Sequence, residues 1–375
     1  MRDLPSLTLT LALALALTSH AQAAPEKASS NSAQSSVETT TAPASQATAQ
    51  PDAAAEPDSY ASRPEVRTFA LAIAQRHGLE AGALLALLGE AQAQPGIIRL
   101  MDRHVTGEPS WAGYKKRFVN ARRIRDGVSF MASHEAALAR AVQTWGVPAS
   151  IISAIIGVET GYGRNTGSYR VLDALTTLAF DYPRRGAFFR EQLEDFLVHV
   201  NEDQLDARTM RGSYAGAIGI PQFMPGSIRR WGVDFDQDGH RDLITSATDA
   251  IGSVAHYLQG HGWQAGAATG WWARSRGEQW QSQVSSRFEP DHTIAELARL
   301  GVVAQAPAKP APETRVALVA FQSPADPVGL YLATTNFQAI TRYNRSSFYA
   351  MAVIELAAAI EAERRQSVTK ASAGR

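Results

Sequence analysis

The chain has 375 residues, with 36 Lys plus Arg, 36 Asp plus Glu, 9 His and no Cys, so its formal net charge is zero. Balanced charge gives no compositional reason to expect a nucleic-acid partner. The lack of Cys excludes disulfides, thiolate nucleophiles, Cys-based zinc sites and a lipid-modified cysteine anchor.

Residues 1–23 read as an export signal. Arg2 is the only Lys or Arg in the first 26 residues, Leu7 to Leu17 is mostly apolar, and Ala21-Gln22-Ala23 fits a small-x-small cleavage pattern. The apolar run is too short for a membrane span; an uncleaved interfacial anchor is the alternative. The expectation is an exported protein, periplasmic in a Gram-negative source, with no stable membrane anchor once the signal is cleaved. Residues 24–62 are dominated by Ala, Ser, Thr, Gln and Pro and read as a disordered linker. The remaining ~300 residues allow one large or two to three small domains.

Helical spacing of apolar residues covers Glu65 to His77 and resumes over Ala83 to Ala93. Further helices are expected over Arg117 to Arg123, Ser133 to Trp145, a stretch beginning after Pro148 with Ser150 as N-cap, Phe188 to Asn201 and Thr248 to Gln259. A Pro-rich connector, APAKPAP over 306–312, precedes strands over Arg315 to Gln322 and Gly329 to Thr334, with Pro324 and Pro327 marking the turn between them. Ser347 to Glu363 returns to helix, and the last ten residues read as a disordered tail. The fold class is mainly α with a small β insertion.

The most informative residue is Glu159. No other charged side chain occurs between Arg140 and Arg164. Gly161 and Gly163 stop the surrounding helix, so Glu159 falls in its last turn. Low dielectric and the negative end of the helix dipole both disfavour its anion and raise its pKa. A carboxylic acid kept protonated near neutrality is what a general acid requires. The alternative is a Glu that caps the helix or pairs with Arg164 and only stabilises the fold.

Several chemistries are absent: no H-E-x-x-H, no P-loop, no complete dinucleotide fingerprint and no nucleophile elbow. Two segments remain. In GSYAGAIGIPQFMP (212–225), Ser213 and Gln222 stand among small and apolar residues, a composition suited to a sugar groove with Phe223 available for stacking. The alternative is a tight turn whose Gln only satisfies backbone groups. In DFDQDGHRD (234–242), Asp234, Asp236, Asp238 and Asp242 occupy positions 1, 3, 5 and 9 of an EF-hand-like loop with Gly239 at position 6. Thr245 stands at position 12, and Asp249 is the next acid. Such packed carboxylates repel without a cation; a solvated Asp turn is the alternative. The segment YKKRFVNARRIR (114–125) is locally basic and reads as a face for an anionic polymer or as a solvated helix face.

Together IIGVETGYGR (155–164), LDALTTLAF (172–180), YPRR (182–185), the 212–225 segment, DAIGSVAHY (249–257) and AITRYNRSSFYAM (339–351) resemble the membrane-bound lytic murein transglycosylase B family and its soluble relatives. The resemblance runs from about residue 63 to 364. It implies a lysozyme-like catalytic core over 147–285, a helical domain over 63–146 completed by 343–365, and a small antiparallel β domain over 286–342. It implies cleavage of the MurNAc–GlcNAc β-1,4 bond of peptidoglycan with formation of a 1,6-anhydroMurNAc end. The family's catalytic Glu falls on Glu159, its groove Ser and Gln on Ser213 and Gln222, and its stem-contacting arginines on Arg184 and Arg185. Sugar-contacting positions fall on Tyr114, Tyr257, Tyr343, Asn344 and Tyr349. A structural calcium loop falls on Asp234, Asp236, Asp238, His240 (backbone carbonyl) and Asp249, in a loop one residue longer than the family's. No organic cofactor is implied, peptidoglycan glycan strands are the partner, and a monomer is expected. The lipidated Cys of the membrane-bound member has no counterpart here. Ordinary glycosidases use two carboxylates. A transglycosylase can use one, because the attacking hydroxyl is tethered to the substrate. Asp173 and Asp181 stay open as distant second acids, a hydrolytic muramidase as a second enzyme, and a catalytically silent peptidoglycan-binding protein as a third reading.

Overall fold

The computed structural model describes residues 59–102, 110–323 and 326–373. The expected signal at 1–23, the linker up to residue 58, Pro324 and the last two residues lie outside them. Fourteen α-helices and seven short strands are present among the described residues. The mainly α class with a small antiparallel sheet is therefore the observed one. No single described helix is long and apolar enough to cross a membrane.

The folded part starts earlier than the expected linker end at 62. Tyr60 is 2 % exposed, and its hydroxyl donates to Asp181, which also holds Arg63 at 2.6 Å. A buried aromatic with a paired hydroxyl is an anchor, which a reading of the neighbouring Ala and Ser residues hid.

Helices α1 (Pro64–His77), α2 (Ala81–Gly89) and α3 (Pro95–Asp102) come first. The basic segment is not one helix over Arg117 to Arg123. α4 (Trp111–Phe118) ends, and α5 (Ala121–Ser133) begins at Asn120, whose side chain accepts from the Arg123 amide. Asn at an N-cap satisfies a donor that would otherwise lack a partner, so it starts a helix rather than continuing one. α6 (Glu135–Trp145) leads to α7 (Ala149–Thr160), which is buried from Ser150 to Val158. α7 is packed by α5, α6, α11 (Ala247–Gly260) and α14 (Ser347–Ala373). An apolar helix with neighbours on every side is what its near-uniform composition demands. α8 (Val171–Phe180) is buried along nearly its whole length and packs on α9 (Gly186–Glu202), and α10 (Pro225–Trp231) packs on α9 and α11. Strands β1 (Tyr169–Arg170) and β2 (Arg211–Gly212) pair and tie the segment after α7 to the Gly-rich segment.

The larger sheet contains β3 (Gly270–Ser275), β4 (His292–Thr293), β5 (Val302–Ala304), β6 (Arg315–Ser323) and β7 (Asp326–Ala333), in the order β4-β6-β7-β3-β5, all antiparallel. β3 precedes the expected start of the β region at 286, and β7 already includes Pro327, which was expected in the turn. β3 was illegible because its two adjacent Trp break the alternation expected of a half-buried strand. Trp272 faces the main core, while Trp271 faces a second cluster built on Leu297 of α12 (Ile294–Arg299). Both faces of β3 are therefore apolar. After β7, α13 (Thr335–Tyr343) returns the chain to the core, where it packs on α11 and α14. α14 runs to Ala373, so residues 366–373, expected as a disordered tail, continue a helix that begins on the core. A helix already nucleated on packed residues extends at little cost, one hydrogen bond per added residue.

Candidate active site

Glu159 lies in the last turn of α7, one residue before its C-terminal end. Gly161 ends the helix in the left-handed region at φ +60°, with its amide bonded to the Gly157 carbonyl. That conformation is cheap only without a Cβ. Ser150 is not the N-cap. Pro148 occupies that place, its carbonyl accepts from the Ile151 and Ile152 amides, and Ser150 is buried inside the first turn. Arg164, the partner that the alternative structural reading gave Glu159, instead pairs with Asp126 at 2.5 Å. Among the described residues, one hydrogen bond reaches the Glu159 carboxyl: the Tyr349 hydroxyl donates to Oε1 at 2.6 Å. Burial pushes the Glu159 carboxyl up to about 7, with the Tyr349 bond pulling the other way. The residue is nevertheless partly exposed to solvent. Among the described residues, no charged neighbour contributes to that shift. Asp173 is engaged by Arg170 at 2.5 Å and the Gln92 amide at 2.9 Å, and Asp181 by Tyr60 and Arg63. Neither is a second acid at Glu159.

An aromatic wall surrounds this carboxyl. The charge of Glu159 acts on Tyr114, Tyr257, Tyr343 and Tyr349, and burial is the main cause raising each phenol above its ordinary value. Tyr343 and Tyr349 stack at 6.2 Å, Tyr257 stands 4.9 Å from Tyr343, and Phe223 packs on both Tyr257 and Tyr343. The hydroxyls of Tyr257 and Tyr343 donate to the Arg342 and Pro221 carbonyls at 2.6 and 2.7 Å, which fixes the rings. Tyr114 joins from α4 through Trp111, Phe118 and Phe348.

The Gly-rich segment forms a tight loop. Ile218 and Phe223 exchange backbone bonds, and Gln222 adopts φ +52°. Gln222 is 7 % exposed; its Nε2 donates to the Thr166 and Gly219 carbonyls, and its buried Oε1 has no partner among the described residues. The amide nitrogen thus does the structural work, and the oxygen is left as an acceptor for a ligand donor. Ser213 is buried, and its Oγ accepts from the Ala217 amide at 3.0 Å, leaving its own hydrogen to give. Asn344, at the end of α13, has a buried Oδ1 without a partner.

Arg184 and Arg185 separate in role. Arg184 is half exposed and bonds Asp102 at 3.1 Å. Arg185 lies over Phe188 at 4.3 Å, burial lowers its pKa, and its buried Nη1 has no partner. Arg345 was missed by sequence reasoning although it stands in one of the recognised segments. Its charge acts on both Arg185 and Tyr257, so it joins the arginine pair to the aromatic wall.

The acidic loop is a separate cluster. Carboxylate oxygens of Asp234, Asp236 and Asp249 lie within 4.8 Å of one another. Asp249 is fully buried and also accepts from the Phe235, Asp236 and Asp242 amides. Burial raises its pKa despite those bonds. Asp238 accepts from the His240 amide, and its own amide donates to Asp234. It is not part of the three-carboxylate cluster. The spacing fits one hard cation at oxygen distances near 2.3–2.6 Å.

The family model described as "Transglycosylase SLT domain" matches residues 61–358. The chain belongs to this family. It is an enzyme, a lytic transglycosylase. Membrane-bound lytic murein transglycosylase B of Escherichia coli (strain K12) is 37% identical over 316 residues, covering 82% of this chain and 85% of its own length. The soluble lytic transglycosylase SltB1 of Pseudomonas aeruginosa, in a structure of its catenated form, superposes with a TM-score of 0.77 at 40% identity, covering 81% of this chain and 99% of its own. The E. coli transglycosylase Slt35, in a structure with calcium, gives a TM-score of 0.73 at 37% identity and covers 81% of this chain and 95% of its own. With these relatives the fold is lysozyme-like.

Across this transglycosylase the structure gathers Glu159, Tyr114, Tyr257, Tyr343 and Tyr349 at one place, with Ser213 and Gln222 on the adjoining loop. Tyr349→Phe tests the local electrostatics. The phenol donates to the carboxylate and favours the anion, so its loss leaves the pKa above about 7. The acid then stays protonated to higher pH. The alkaline limb of a kcat/KM–pH profile should move upward by a few tenths to about one unit, at a lower plateau. A limb that stays in place would show that the bond does not govern Glu159.

Proposed function

We propose that this enzyme is exported to the periplasm and cleaves the MurNAc–GlcNAc β-1,4 bond of peptidoglycan, with Glu159 as its single general acid and base. The observation that supports this reading is one carboxyl whose pKa burial raises to about 7, with a tyrosine bonded to it and, among the described residues, no carboxylate acting on it. Glu159 gives its proton to the glycosidic oxygen of the leaving GlcNAc as the C1–O bond breaks. The resulting carboxylate then takes the proton of the MurNAc 6-hydroxyl as that oxygen closes on C1, which returns the acid to its starting state. The tethered hydroxyl replaces water as nucleophile, a proximity advantage. Tyr349 orients the carboxyl, the aromatic wall receives sugar faces, and Gln222 Oε1 and Asn344 Oδ1 offer acceptors to sugar hydroxyls or amides. Arg185, with its open donor, suits a stem carboxylate.

Digestion of purified sacculi followed by mass spectrometry of the released muropeptides tests the reaction. Anhydro ends are expected. Reducing ends would mean a hydrolytic muramidase, and no release would mean a silent binding protein. Glu159→Gln should lower turnover by at least about 10²-fold, the usual worth of general acid–base catalysis, while glycan binding persists. A variant keeping a tenth of wild-type activity would rule out that role.

The loop of Asp234, Asp236 and Asp249, with Asp238 and the His240 carbonyl contributing, would hold a calcium ion that stabilises the fold and takes no part in the chemistry. The all-oxygen donor set supports this, as does the calcium-bound Slt35 structure. Binding to the native state alone raises the melting temperature with cation concentration. Thermal melts in chelator, calcium and magnesium should rank calcium highest. Identical curves in chelator and millimolar calcium would leave the loop as an ordinary Asp-rich turn.

A further inference from the structure

The residue after the acid, Thr160, is buried, and its hydroxyl sits at a junction between two elements of the site. It donates to the Ile220 carbonyl at 2.8 Å and accepts from the Gly163 amide at 2.9 Å; the Ile156 carbonyl one helical turn back is farther, at 3.3 Å. A hydroxyl has one hydrogen, so the short contact to Ile220 is the bond it makes. Ile220 belongs to the tight loop that carries Gln222. Its amide donates to the Leu243 carbonyl at 2.7 Å, next to Asp242 of the acidic loop. The following carbonyl, Pro221, is held from the opposite wall by the Tyr343 hydroxyl. Gly219 approaches Leu243 so closely that a Cβ there would stand 2.1 Å from the Leu243 oxygen. Two hydroxyls, Thr160 from α7 and Tyr343 from α13, therefore grip consecutive carbonyls of one loop.

We infer that Thr160 is a positioning residue: its hydroxyl fixes the end of α7, and with it Glu159, against the loop that presents Gln222. The end of α7 is where such a link acts. α7 ends in two glycines at positive φ, Gly161 and Gly163, separated by Tyr162, also at positive φ. Around that stop the Tyr162 amide bonds the Ile156 carbonyl and the Tyr162 hydroxyl bonds the Arg123 carbonyl, whereas the Thr160 hydroxyl bonds the last residue of α7 to the loop. The hydroxyl supplies both a donor to the loop and an acceptor for the chain leaving the helix. Loss of both would let the loop draw away, admit water to Glu159 and loosen the pairing of acid and groove.

The inference rests on Glu159 as the acid, and the test keeps the two apart. Thr160→Val keeps the shape and removes the hydroxyl. It is expected to lower kcat about 10–100-fold, as an ångström-scale misplacement does, with a smaller change in KM. Water reaching Glu159 lowers its pKa, so the alkaline limb of the pH profile should move downward, opposite to Tyr349→Phe. Thr160→Ser retains the hydroxyl and should restore both rate and limb. Thermal melts identify a variant that has failed to fold. Thr160→Ala, with room for a replacing water, then serves in place of Val. A Val or Ala variant with wild-type kcat, an unmoved pH limb, or a Ser variant as impaired as Val would overturn the inference. Glu159→Gln is run alongside. If it stays active, the acid assignment fails. If it is inactive while folded Thr160→Val is fully active, only the role of Thr160 fails.

Discussion

Everything in the site depends on the desolvation of one carboxyl. α7 is apolar on all sides, ends abruptly, and delivers Glu159 where burial outweighs its single hydrogen bond. This has a cost. A carboxyl whose pKa rises from 4.5 to about 7 on folding binds more protons in the native state across that window. Native stability therefore falls as pH rises through it and is lower above about 7 than below 4.5. The fold tolerates the cost because α5, α6, α11 and α14 surround α7 and contribute apolar burial that does not depend on pH.

The geometry explains how one acid can suffice. A second carboxylate close to Glu159 would share its proton and disfavour its anion further, and either effect would show as a charge–charge influence on its titration. None acts there. The phenols around it are neutral at physiological pH. They can hydrogen-bond and receive sugar faces without adding charge that would undo the shift. The positive charge of Arg345 acts on Arg185 and Tyr257, and in the proposed function the arginines serve anionic parts of a substrate.

Much of this was legible in the sequence, and the reasons differ by residue. Glu159 was visible because a lone charge in an apolar helix has few explanations. The end of α7 was visible because Gly161 and Gly163 have one clear backbone meaning. Tyr349 was not reachable from local pattern: it lies 190 residues from the carboxyl it bonds, and only the family resemblance brought it forward. Thr160 and Arg345 lay inside recognised segments, yet nothing local separates a hydroxyl that spans two elements from one that caps its own helix. Tyr60 was hidden by its low-complexity neighbours, β3 by two Trp that serve opposite faces, and the α4–α5 break by an Asn read as an interior residue. Each miss comes from a tertiary partner that overrode a local signal.

The most direct measurement is a site-specific titration of the Glu159 carboxyl, by difference infrared or carbon NMR spectroscopy of wild-type protein against Glu159→Gln. A midpoint near 7 is expected. A midpoint near the ordinary 4.5 would mean that the carboxyl is solvated and charged at neutral pH, and it would contradict a buried acid as the origin of activity.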